Sequence, residues 1–151
     1  EDEMLKTQLL HVEGAKTTIE YQNIGEAEKV KELIDNLIAE GVEPSNIAVT
    51  SPFKSQLALY EDILHDSIPH ENILQANIAS TPKKYEYLIF SIAAFDGNAL
   101  LLKNSHTLVK KMLRQTETFI IAGNIEFLFE KNQHLGTLLQ SAYESGQVIE
   151  L

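Results

Sequence analysis

NIAVTSPFKSQLALYEDIL, residues 46–64, decides the fold. Ile47, Ala48 and Val49 form a short apolar run between polar ends, as a strand buried on both faces requires. A Ser-Pro turn at Ser51 and Pro52 stops the strand, and Phe53, Leu57, Tyr60, Ile63 and Leu64 then recur at helical spacing. A doubly covered strand that runs straight into an amphipathic helix is half of a βαβ unit, so a parallel sheet is expected around it.

The same alternation extends in both directions. Upstream, QLLHVEG (8–14) predicts a strand, TIEYQN (18–23) is polar and ambiguous, and GEAEKVKELIDNLIAEG (25–41) predicts a helix. That helix presents Ala27, Val30, Leu33, Ile34, Leu37 and Ile38 on one face, and Gly41 supplies its stop. Downstream, NILQANIA (72–79), YEYLIFSIAAF (85–95) and ETFIIAGN (117–124) predict strands. NSHTLVKKMLRQ (104–115), IEFLFEKN (125–132) and LGTLLQSAYESG (135–146) predict helices, and QVIEL (147–151) a final edge strand. The expected architecture is α/β, a mostly parallel sheet with helices on both faces. No repeat or low-complexity linker interrupts it.

The 151 residues, 44% hydrophobic and 23% charged, suit one domain spanning 1–151 with a single core. The start at Glu1 and the polar residues that follow predict that this domain was excised from a longer protein. With no Cys and no apolar run of membrane-span length, the expectation is an intracellular protein without membrane contact, in the cytoplasm or nucleus. A net charge of −10 and twelve scattered Lys and Arg residues work against a phosphate-binding surface. The five histidines lack metal-ligand spacing, and no Ser-His-Asp constellation can be assembled, so no metal or other cofactor is expected.

The order of these pieces resembles the second RecA-like lobe of superfamily 1 helicases of the nonsense-mediated-decay type, a lobe of the P-loop NTPase type. The early marker is NIGEAEKVKELIDNLIAEGVEPSNIAVTSPFKSQ (23–56), where Asn23, Glu26, Ala27, Ser51, Pro52 and Gln56 match and Phe53 replaces a tyrosine. The late marker is LRQTETFIIAGNIEFL (113–128), in which Arg114, Gly123 and Asn124 match. The resemblance covers nearly the whole chain.

It also has clear departures. The family pattern Asp-x-Phe-Gln-Gly-x-Glu, whose Gly and Glu serve nucleotide phosphates and the RNA backbone, is replaced by the shorter STPKKYEY (80–87), which puts Lys84 near the glutamate position. The Asn-Val-Ala-Leu/Ile-Thr/Ser-Arg-Ala-Arg stretch is replaced by LVKKMLRQT (108–116), which keeps a single arginine. Phosphoryl transfer needs phosphate cradling, magnesium and an electrophilic arginine together, and such parts do not act additively. No Gly-x-x-x-x-Gly-Lys-Ser/Thr occurs either, as the resemblance implies for a second lobe. The isolated domain is therefore expected to be inactive as an enzyme, neither hydrolysing ATP nor holding it tightly.

Each candidate residue has two readings. Phe53 and Gln56 face a nucleotide base if the resemblance carries over, or belong to the core. Arg114 is a residual arginine finger or a solvated helix-terminal cation. Lys83 and Lys84 line an RNA path or are solvated. Phe129 and Tyr143, within an apolar C-terminal segment, contact a protein partner or complete the domain's own core. The favoured expectation is a degenerate helicase-like lobe acting as a protein-interaction or scaffold module, with nucleic acid bound weakly or only through its parent. The alternatives are a working second lobe completed by a P-loop lobe upstream, and an unrelated doubly wound domain.

Overall fold

A computed structural model of the chain describes residues 7–11, 24–51, 54–74, 85–91, 116–123 and 149. The elements in chain order are β1 (Thr7–His11), α1 (Ile24–Ala39), β2 (Ile47–Thr50), α2 (Lys54–Ile63), β3 (Ile73–Leu74), β4 (Tyr85–Ser91) and β5 (Thr116–Gly123). The five strands form one sheet in the order β1-β5-β4-β2-β3, and every pair in it is parallel. This is the expected α/β fold of RecA type. The helices expected at 104–115, 125–132 and 135–146 lie outside the described residues.

Side chains of the inner strands alternate between two buried faces. Leu10, Ile47, Val49, Ile89, Ile120 and Ala122 pack with Ala27, Val30, Leu33, Ile34 and Leu37 of α1 and Leu57 and Tyr60 of α2. Both described helices therefore cover the same face. Leu9, Ala48, Leu88, Phe90, Phe119 and Ile121 are buried as well. On that second face the rings of Phe90 and Phe119 stack at 6.3 Å between centroids, on neighbouring strands. Two-sided burial is why β2 reads as an unbroken apolar run.

Gly41 ends α1 as expected, through a specific geometry. Its φ of +105° is strained for any residue with a Cβ, although nothing crowds that position. The turn lets Val42 N–H donate to Leu37 O at 3.0 Å and Gly41 N–H to Ile38 O at 3.1 Å. This pairing closes the helix end as a Schellman motif, and both Val42 and Leu37 pack into the core.

Single 3-10 turns, Pro44–Asn46 and His70–Asn72, lead into β2 and β3. Asn72 is fully buried and ties the two entrances together: its Nδ2 donates to Ser45 O at 3.0 Å and to Ile47 O at 2.8 Å. At the other edge the closing segment is represented by Ile149, whose N–H donates to Leu9 O of β1 at 2.8 Å.

Asn72→Ala removes the donor from two carbonyls at the start of β2, and is expected to lower stability by about 1–3 kcal/mol. Asn46→Ala, at the equivalent turn position before β2, serves as the comparison. Urea denaturation that gives the two variants the same midpoint would remove Asn72 from this role.

Candidate functional site

In a parallel sheet the loops that can hold ligands gather at the carboxyl ends of the strands, most deeply where successive connections diverge. Here β2 and β4 are neighbours, but from β2 the chain steps outward to β3, whereas from β4 it steps the other way to β5. The ends of β2 and β4 therefore mark the switch point. Thr50 and Ser51 lie at the first of these ends and Ser91 at the second, all buried.

Four buried polar side chains converge there. Glu26 lies in the first turn of α1, Gln56 and Tyr60 one turn apart on α2, and Ser91 ends β4. The Tyr60 hydroxyl donates to Ser91 Oγ at 2.6 Å, and Gln56 Nε2 donates to the same oxygen at 3.4 Å. Ser91 Oγ in turn donates to Glu26 Oε2. A carboxylate in an apolar interior needs such donors, and its place in the first helical turn gives it the favourable end of the helix dipole. Burial raises the Tyr60 phenol above its ordinary value, and the nearby Glu26 carboxylate raises it further. Hydrogen bonding with Ser91 and Gln56 opposes this more weakly. Tyr60 therefore remains a donor, and the chain of bonds runs from phenol to serine to carboxylate.

Among the described residues, Gln56 is the one singled out in the sequence for chemistry, and it lies in this cluster. It is fully buried, with its amide on Ser91. Phe53, Lys83, Lys84, Arg114, Phe129 and Tyr143 lie outside the described residues. Glu26 and Tyr60 were read as a family match and a core position, and Ser91 was not singled out. The signal for Glu26 was its register: it precedes Val30, Leu33 and Leu37 on the buried stripe of α1, where an acid is out of place. Among the described residues no group of acidic, His or Cys side chains is arranged to hold a metal ion. No described helix is long and apolar enough to cross a membrane.

The all-parallel sheet, its switch point and the helices packed over β2 and β4 define an α/β domain of RecA type. The profile of a family described as an AAA domain matches residues 4–126, and the chain belongs to that family as a helicase-like lobe. No curated protein matches it.

Linkage gives the site a measurable signature. An unfolded tyrosine releases its proton at its ordinary value of 10.0, whereas folded Tyr60 holds it to higher pH. The stability this contributes is complete below that value and is lost as pH rises through the folded value. Tyr85 and Tyr87 are also raised, each chiefly by burial and then by neighbouring glutamates, and act in the same direction. Urea midpoints between about pH 8 and about pH 11 should therefore fall steeply in the wild type and less steeply in Tyr60→Phe. Equal slopes would mean that Tyr60 is not held in this way.

Proposed function

We propose that this helicase-like lobe is catalytically degenerate and works as a protein-interaction or scaffold module within a larger RNA-processing protein. The observation that carries the reading is STPKKYEY, the segment entering β4. Where related lobes place a glycine and a glutamate toward phosphate and RNA, it keeps neither at the matching position and puts Lys84 near the acidic one. The site geometry is in keeping with this. Gln56, Tyr60, Ser91 and Glu26 are directed at one another, and all four are buried.

Charge supports weak nucleic-acid binding. Among the described side chains the only lysines are Lys29 and Lys31, both on α1, and Lys31 is engaged with Asp35 at 2.8 Å. Described acidic side chains on the two helices are more numerous: Glu28, Glu32, Asp35 and Glu40 on or next to α1, and Glu61 and Asp62 on α2. Such a surplus of negative charge repels a phosphate backbone. Phe129 and Tyr143 are the proposed partner contacts, and the residual Arg114 is not expected to restore phosphoryl transfer without the other parts.

A second reading, a working lobe completed by a P-loop lobe elsewhere in the same polypeptide, is favoured by the family match over 4–126. Calorimetry with ATP and magnesium, and anisotropy with single-stranded RNA, separate the two. The proposal expects no ATP binding to the 151-residue chain, and RNA binding no tighter than the non-specific range of about 10⁻⁴–10⁻⁶ M. Micromolar ATP binding, or nanomolar RNA binding lost on Lys83→Glu with Lys84→Glu, would establish the second reading instead.

A further inference from the structure

We infer that the Ser91 hydroxyl is the joint that makes α1, α2 and β4 open and close as one cooperative unit, so that a contact at the carboxyl end of the sheet is felt by both helices. The inference does not depend on whether the lobe is degenerate or working.

A serine hydroxyl has one proton to give and two lone pairs to receive with. At Ser91 all three are committed. The proton goes to Glu26 on α1, while the lone pairs take Tyr60 at 2.6 Å and Gln56 at 3.4 Å, both on α2. Each neighbouring element thus reaches the end of β4 through the same oxygen. Because the Ser91 proton is given to the Glu26 carboxylate, the Tyr60 hydroxyl meets Ser91 as a donor.

The apolar contacts around the site differ in kind. Ala27, Val30, Leu57 and Ile89 pack closely but without direction, and a helix can shift over them by small side-chain adjustments. Moving α1 away from β4, by contrast, takes a donor from a buried carboxylate. Moving α2 away takes the acceptor from a buried phenol. In a dry interior each is costly, and bonds that share an atom strengthen one another. The arrangement favours joint opening over separate opening, which is the condition for a single cooperative unit.

Native-state hydrogen exchange on the full 151-residue chain tests this, with the amides of Val30, Ile63 and Ile89 reporting on α1, α2 and β4. In the wild type the three should share one opening free energy along a denaturant series. In Ser91→Ala, which removes all three bonds, they should separate by at least about tenfold in exchange rate, the weight that a single hydrogen bond already carries. Leu57→Ala, which thins the core beside the site but keeps the hydroxyl, should accelerate all three together. Three different opening energies in the wild type, joint movement in Ser91→Ala, or separation in Leu57→Ala would each overturn the inference. Should Ser91→Ala fail to fold, Tyr60→Phe removes only the branch to α2. It is expected to release Ile63 ahead of Val30 and Ile89, and joint movement of the three would again overturn the inference.

Discussion

A carboxylate placed inside a protein must be met by donors, and in this lobe the need is answered at one point where three elements meet. Glu26 enters the interior from the first turn of α1, and the Ser91 hydroxyl that reaches it stands at the end of β4. Ser91 is in turn held by Tyr60 and Gln56 of α2. These directional bonds sit within an otherwise apolar interior between the sheet and its helices. Apolar packing is forgiving of small displacements, and hydrogen bonds to a buried charge are not. The placement of α1 and α2 over β2 and β4 therefore rests on the polar cluster for its register and on the surrounding leucines, isoleucines and valines for most of its burial.

The strands and helices were readable from sequence wherever one physical requirement acted alone. β2 is buried on both faces and reads as apolar throughout. The inward face of α1 carries the 3.6-residue period, and Gly41 marks its end because the Schellman turn needs a positive φ there. The strand order was not readable, because β1 pairs with β5 at the far side of the chain and no local pattern encodes such a distant partner. Asn72 shows the same limit on a smaller scale. An asparagine before a strand looks like ordinary turn chemistry, and only the meeting of two entrances in space makes it a clamp.

The site was partly readable for a related reason. Gln56 was singled out through the Ser-Pro-x-x-x-Gln pattern, and the structure places it in the cluster. Glu26 was singled out only as a match to the early marker, and its place beside the apolar stripe of α1 gains meaning once its partner is known. Ser91 carried no signal at all, since a serine closing an apolar strand is common. What identifies it is that the strand delivers it between two helices. A buried polar network is a property of the assembled fold, and its members come from α1, α2 and β4 with long stretches of chain between them.

The pairing of β1 with β5 bears on how the lobe is made. Thr7 lies opposite Phe119 and His11 opposite Gly123, so β1, made before the other described strands, waits for residues 116–123 before it gains this backbone partner. Meanwhile β2, α2, β3 and β4 can assemble among themselves, and they contain most of the switch point. Vectorial synthesis thus leaves β1 without this partner until residues 116–123 emerge, and strands that lack a partner recruit other strands. A polypeptide interrupted before residue 116 retains the centre of the sheet but loses the strand that joins β1 to it. The topology that sets β1 beside β5 in the finished domain is thus the one that delays its pairing during synthesis.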